Sequence, residues 1–335
     1  MPRSVETRNS LVLLSNRGWK EPTPGLFFWA PDWQETPQSV AAGKWKRSEL
    51  QHFPGHWALI DVRGEHPKVV VDRQRSRPLV AARVSGRWLI ADQIENLRGR
   101  VPFEPNEEAV SIFPHFGYTL SSATLISGVH DCPAACEMIL ASEPKFRPYM
   151  KFSLLADAVD NQDEFNDQFT QALDTVFSRL LAEVGDRQLI VPLSAGHDSR
   201  LILTWLRRHD AKNVLAFSYG TDEAWERDIA RQVAKALGYP FIFVHQTENE
   251  VREAWQTPSG ERFLRNAWGG TSVPHRQDWF AVKQLVERGV ASDDAIVLPG
   301  HSVPSGTGLE SPEGTKADMD FVARLLARKT EQNQV

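Results

Sequence analysis

The chain has 335 residues, 41% hydrophobic and 24% charged, with a net charge of −5, the balance of a soluble globular protein long enough for two domains. That charge gives no global pull toward nucleic acid, and no run approaches the roughly 20 apolar residues that span a bilayer. The opening Met-Pro-Arg-Ser-Val-Glu-Thr lacks the apolar core of a signal peptide, so the expected location is the cytoplasm, with neither membrane nor nucleic acid as partner.

From residue 11 to 150 the signals are short and β-like. Residues 11–14, 25–30, 57–62 and 68–73 read as strands, and 79–84 with 87–92 as a hairpin about Ser85-Gly86. Residues 110–116 read as a short helix. Cys132 and Cys136, the two cysteines, are expected as reduced thiols. Past residue 157 the pattern changes. Phe165, Phe169, Leu173, Val176, Phe177, Leu180, Leu181 and Val184 recur at three- and four-residue steps, an amphipathic helix. The domain boundary is therefore placed near 145–160, dividing the chain into 1–150 and 151–335.

Beyond it strands and helices alternate: strands at 189–192, 214–220, 241–245 and 295–300, helices at 223–237, 250–266 and 277–288, and a last helix at 317–328. Such alternation implies a doubly wound, mostly parallel sheet, whose ligands sit at the carboxyl ends of its strands.

The first of these strands runs into Leu193-Ser194-Ala195-Gly196-His197-Asp198-Ser199-Arg200, after which an apolar helix pattern begins. Small residues allow a tight turn, and the helix start adds orphan N–H donors and the positive end of a dipole. The result is an anion cradle suited to a phosphate or pyrophosphate. Ser194 and Ser199 add hydroxyls, and Asp198 a hard oxygen for Mg²⁺. An ordinary Ser/Asp helix cap would read the same over these six residues alone.

The turn resembles the PP-loop of the N-type ATP pyrophosphatases, the family that includes asparagine synthetase, whose motif is Ser-Gly-Gly-x-Asp-Ser. Ala195 departs from it, losing ready access to positive φ. The second strand ends in Ser218-Tyr219-Gly220 and the next helix carries Glu226 ahead of Val233-Ala234 and Leu237-Gly238, matching the asparagine synthetase segment that supports adenine. The stretch from Ser272 through His275 to Asp278 resembles the later segment beside nucleotide and substrate, with Asp278 read preferentially as a helix cap. Gly300-His301-Ser302 resembles the second phosphate-side loop, although Val303-Pro304-Ser305 stands where a metal-binding Asp is expected. Lys316 and Lys329 are weak substitutes for the family's C-terminal lysine.

The N-terminal half follows the order of a glutaminase-type domain in Pro54-Gly55, Val71-Asp72-Arg73, Arg77-Pro78-Leu79 and Trp88-Leu-Ile-Ala-Asp92. It begins Met1-Pro2, however, with no cysteine before Cys132 to attack glutamine.

The resemblance implies an α/β and α+β chain: an Ntn-hydrolase-like β-sandwich remnant, then a doubly wound parallel sheet of the PP-loop, Rossmann-like HUP type, C-terminally short. It implies ATP as substrate, held by Leu193, Ser194, Ala195, Gly196, Asp198, Ser199, Arg200, Ser218, Tyr219, Gly220, Glu226, Ser272 and Gly300, with Mg²⁺ on Asp198. The implied activity is an asparagine synthetase-like carbon–nitrogen ligase, releasing AMP and pyrophosphate. It joins a small carboxylate to ammonia or an amine, without glutaminase activity of its own. A homodimer fits this reading. The alternative is a truncated, inactive nucleotide-binding relative. A tRNA-modifying enzyme shares the loop, but the net charge and the lack of a suitable cysteine pair argue against it.

Overall fold

The computed structural model describes residues 3–7, 10–15, 18–150, 159 and 161–300. His301, Ser302, the 303–305 stretch, Lys316, Lys329 and the helix expected at 317–328 lie outside these residues, as does most of the expected boundary region. The chain divides into two compact units, and residues 263–274 group with the first although most of the second precedes them in sequence.

The first unit contains β1 (Arg3–Glu6), β2 (Ser10–Leu14), β3 (Trp19–Thr23), β4 (Leu26–Trp29), β5 (Ala58–Asp61), β6 (Lys68–Val71), β7 (Val80–Val84), β8 (Arg87–Ala91), β9 (Val129–Asp131), β10 (Cys136–Leu140) and β11 (Pro144–Pro148), with helices α1 (Gln38–Ala41) and α2 (Glu107–Phe116). They form two sheets, ordered β1-β2-β8-β7-β9 and β11-β10-β6-β5-β4-β3. All pairings are antiparallel except β2 with β8.

Strand alternation sends Val12, Leu14 and Ile90 of one sheet, and Phe27, Ile60, Val69 and Met138 of the other, into a shared core. The opposite faces are covered too: Leu13, Val80 and Leu89 pack with Ile94, Leu97 and Trp268, and Leu26, Phe28 and Leu59 with Leu50, Phe53 and Trp57. Burial on both faces makes these strands continuous apolar runs. The β7–β8 hairpin turns at Ser85 and Gly86, both at positive φ, as a primed turn requires.

Residues 268–273 run along this unit as an added edge. The Thr271 carbonyl accepts from Thr119 N–H at 2.7 Å, Gly270 O from Leu125 N–H at 2.8 Å and Gly117 O from Val273 N–H at 3.0 Å. Gly270 has φ +74, and a Cβ there would meet Ile94 Cδ1 at 2.3 Å, so no larger residue fits unchanged.

The second unit opens with α3 (Gln162–Val184), capped by Asn161, whose side chain accepts from the Asp163 and Glu164 amides. Then follow β12 (Leu189–Pro192), α4 (His197–Arg208), β13 (Val214–Gly220), α5 (Glu226–Leu237), β14 (Phe241–His245), α6 (Glu248–Trp255), α7 (Pro258–Ala267, grouped with the first unit from residue 263 on), α8 (Trp279–Glu287) and β15 (Ile296–Val297). The helix expected over 250–266 is broken into α6 and α7, where Thr257 and Pro258 interrupt the amide ladder.

The sheet order is β14-β13-β12-β15, all parallel. Leu189, Val191, Val214 and Ala216 pack under α3, α4 and α5, while Ile190, Leu215 and Phe217 pack against α8. The strand order reverses beside β12. In open α/β sheets that reversal opens a crevice at the carboxyl ends.

Candidate functional site in the second unit

β12 delivers the chain to the crevice through Leu193, which is buried and donates its amide to Phe217 O at 2.7 Å. The turn that follows is closed by its two serines. Ser199 Oγ accepts from the Ser194 amide at 3.1 Å and lies 3.1 Å from Ser194 Oγ, which accepts from the Gly196 amide at 3.1 Å. Gly196 is the residue before α4 and no side chain caps the helix. The first-turn amides of α4 therefore have neither an intrahelical acceptor nor a cap, which is the chemistry of an anion cradle.

Ala195 is absent from the positive-φ residues, and Gly196 has φ −70. The alanine costs no left-handed strain, because in this turn the two serine hydroxyls set the bend. Asp198 is exposed in the first turn of α4. Arg200 folds back, its Nε donating to Gly196 O at 3.0 Å.

Gly300, after β15, abuts the loop. A Cβ at this position would lie 2.7 Å from Ser199 N and 2.9 Å from Ser199 Cα. Backbone meets backbone where the sheet order reverses, and a side chain would force them apart.

A cavity of about 310 Å³ opens here, lined by Ser194, Ser199 and Gly300 on one side and by Ser218, Tyr219, Glu226, Gln277 and Asp278 on the other. Glu226 stands in the first turn of α5. Ser218 is 8% exposed and its Oγ has no hydrogen-bond partner among the described residues. The Tyr219 hydroxyl donates to Asp278 Oδ1 at 2.6 Å. Burial, reinforced by that carboxylate, raises the phenol well above its ordinary pKa.

Of the residues expected to hold nucleotide, Leu193, Ser194, Ser199, Ser218, Tyr219, Glu226 and Gly300 line this cavity. Ala195 and Gly196 in the adjoining turn, Asp198 and Arg200 in α4 and Gly220 at the end of β13 do not line it. Ser272 belongs to the first unit, where its backbone pairs with Tyr118. Asp278 departs from the helix cap expected of it. It precedes α8 at φ −87, ψ −13 with no side-chain cap bond, so its carboxylate is directed to Tyr219 instead. Pro192, Phe217 and Gln277 also line the cavity. The first two are visible in sequence only as strand residues.

Among the described residues no three His, Cys, Asp or Glu groups converge as a metal site. Mg²⁺ in phosphate chemistry takes one or two carboxylates plus phosphate oxygens and water, a role for which one exposed aspartate at the cradle is sufficient.

Residues 168–259, from α3 through the Ser194 loop to α7, match the asparagine synthase family. This span, 92 of the chain's 335 residues, is similar to an asparagine synthase domain. Domains of this family use ATP and belong with ligase-type enzymes. A solved structure described as a predicted subunit of a tRNA methyltransferase from Methanocaldococcus jannaschii is similar at 17% identity and a TM-score of 0.22, over 43% of this chain and 64% of that one. The chain thus spans less than two thirds of that protein's length. No curated protein matches the chain. Among the described residues no helix is long and apolar enough to cross a membrane.

Proposed function

We propose that the chain is an asparagine synthetase-like carbon–nitrogen ligase that activates a carboxylate with ATP. The observation that carries this reading is the uncapped, serine-closed turn of residues 194–199 with Gly300 pressed against it. It opens into a cavity whose far wall holds Glu226, Tyr219 and Asp278.

In the proposed reaction a carboxylate oxygen attacks the α-phosphorus of ATP, and the bond to the β-phosphate bridging oxygen breaks. Pyrophosphate leaves and an acyl-adenylate remains. Ammonia or an amine then attacks the acyl carbon, the bond to the AMP phosphate oxygen breaks, and the nitrogen gives up a proton. The protein's part is positioning and charge neutralisation. The Ser194 turn and the α4 amides hold the pyrophosphate, with Arg200 beside them. Ser218, Tyr219, Gly220 and Glu226 border the nucleoside. Asp198 would hold Mg²⁺, which when bound neutralises phosphate charge.

We read the first unit as a glutaminase-type, Ntn-like sandwich kept as a scaffold. Cys132 and Cys136 lie in its core, where burial pushes both thiols up in pKa, away from the thiolate a nucleophile needs. The nitrogen then comes from free ammonia or an amine substrate.

Substrate-dependent release of AMP and pyrophosphate, with aspartate plus ammonium and then with a panel of carboxylates, tests the reading. AMP above background for one carboxylate is the expected result, and Asp198→Ala should abolish it while the protein still folds. ATP binding without AMP across the panel would instead support an inactive nucleotide-binding relative.

A further inference from the structure

The cavity in the second unit straddles the carboxyl end of β13. Along that strand Val214 and Ala216 face α4 and α5, while Leu215 and Phe217 face α8. Alternation therefore sends Tyr219 to the α8 side and Ser218 to the α4–α5 side. Ser218 shares the cavity wall with Glu226, which stands in the first turn of α5.

Ser218 is buried, and its hydroxyl has no hydrogen-bond partner among the described residues. A buried hydroxyl left this way is costly, and a ligand that supplies a donor or an acceptor removes the cost. Glu226 adds a solvent-exposed carboxylate, which only accepts. Together the two side chains suit a ligand group made of hydroxyls.

Register says which part of a nucleotide reaches them. Pro192 of β12 pairs with Phe217 of β13, so Ser218 stands level with Leu193, one strand spacing or about 5 Å away. Ser194 begins the phosphate cradle one residue after Leu193. In a nucleotide the group next to the phosphates is the sugar, one methylene away, and the base lies beyond it. A ribose offers two adjacent hydroxyls. Both can donate to a carboxylate, and a serine hydroxyl can donate to either or accept from it. A base edge, with its ring-nitrogen acceptors, could use Glu226 only through an N–H or amino group. Doubly wound sheets that bind dinucleotides meet the same need with an acidic residue on the ribose hydroxyl.

We infer that Ser218 and Glu226 form the sugar subsite of this cavity, where they read the vicinal diol of a ribonucleotide and select it over the deoxyribonucleotide. This deepens the ligase reading and rests on its nucleotide.

Calorimetric titration of the full chain with ATP, 2′-deoxyATP and ITP tests the inference. ATP should bind at least five-fold tighter than 2′-deoxyATP. Ser218→Ala should narrow that gap by weakening ATP alone, with 2′-deoxyATP bound as in the wild type. Its melting temperature should not fall, because the substitution removes a buried hydroxyl that has no partner. Glu226→Gln keeps one acceptor oxygen and should weaken ATP three- to ten-fold, with less effect on 2′-deoxyATP. A gap below five-fold in the wild type overturns the inference and leaves the nucleotide reading standing. So does Ser218→Ala weakening both nucleotides equally, which would assign Ser218 to the fold. A preference for ATP over ITP that both variants abolish, with the ribose preference intact, also overturns it, because it assigns the pair to the adenine amino group. Binding of none of the three nucleotides overturns the inference and the nucleotide reading together.

Discussion

Two buried carboxylates at strand ends of the first unit differ from the polar groups that line the cavity of the second. In the first, Asp72 follows β6 and is almost fully buried. Its carboxylate accepts from the amides of Trp57, Gln74 and Ser76, at 2.7 to 3.3 Å. Asp92, after β8, accepts from the Ser15 amide, Trp19 Nε1 and Asn96 Nδ2. These carboxylates close turns, and their lone pairs are occupied. In the second unit the carboxyl end of β13 holds Ser218, whose hydroxyl has no partner among the described residues and which lines a cavity. Occupied polar groups at strand ends stabilise a fold; incompletely occupied ones beside a cavity mark a place for a ligand.

The largest effect that would break this comparison is at Gly300. Gly300→Ala sets a methyl carbon within 3 Å of the Ser199 backbone, a contact with no flexible side chain to yield. ATP affinity should fall by about 100-fold, or about 2.7 kcal/mol, with little change in the stability of the first unit. Calorimetric titration with ATP decides it; affinity within three-fold of wild type would remove the cradle from the binding site.

Asp72→Ala should act in the opposite sense. It strands three amides at a buried turn, for a loss of about 3 kcal/mol of stability in the first unit. The melting temperature should drop by roughly 6–12 °C, while ATP binding to the folded protein persists. A loss of ATP binding without a stability change would mean that this aspartate is not the structural group its bonds describe.

Asp131 is an exception in the first unit, as are Arg77 Nε and Arg87 Nε, which are also buried without a partner among the described residues. Asp131 Oδ2 meets Arg75 Nη1 at 3.0 Å, but Oδ1 is buried without a partner among the described residues. Burial raises its pKa from 3.8 to about 7 against the opposing pull of Arg75. With the folded pKa above the unfolded one, the folded state binds the extra proton between pH 4 and 7. Stability from this group is therefore greatest near pH 4 and declines as pH rises to about 7. Asp131→Asn should remove that decline, a difference on the order of 1–3 kcal/mol between pH 5 and 8. Parallel melting curves for the two proteins across that range would rule it out.

How much of this was legible in sequence follows from where the constraint is local. The β7–β8 hairpin declares itself through Ser85-Gly86, and β12 with α4 through an apolar run that ends in small and acidic residues. β3 and β11 escape because each contains proline, at Pro22 and at Pro144 and Pro148. Both are edge strands, where a missing N–H is tolerated; edge position is a property of the tertiary structure. The division of the cavity wall is likewise non-local. Asp278 reads as a cap because it precedes a helix, and Tyr219, 59 residues away in sequence, draws its carboxylate elsewhere. Ser272 reads as a nucleotide contact because it precedes Asp278 by six residues, yet its backbone pairs with Tyr118 in the first unit.

Ala195 brings the comparison down to a single methyl group. Against the family motif it looks like damage, since glycine at this position suggests a backbone that needs positive φ. The turn instead closes through Ser194 and Ser199, and Ala195 has no left-handed φ, so restoring glycine removes no strain. Ala195→Gly should leave ATP affinity within two-fold of wild type. It should also cost about 0.5–1 kcal/mol of stability, because glycine has more freedom to lose on folding. Tighter ATP binding in the glycine variant, beyond five-fold, would show that nucleotide binding draws the loop into a left-handed conformation, and that the alanine opposes it.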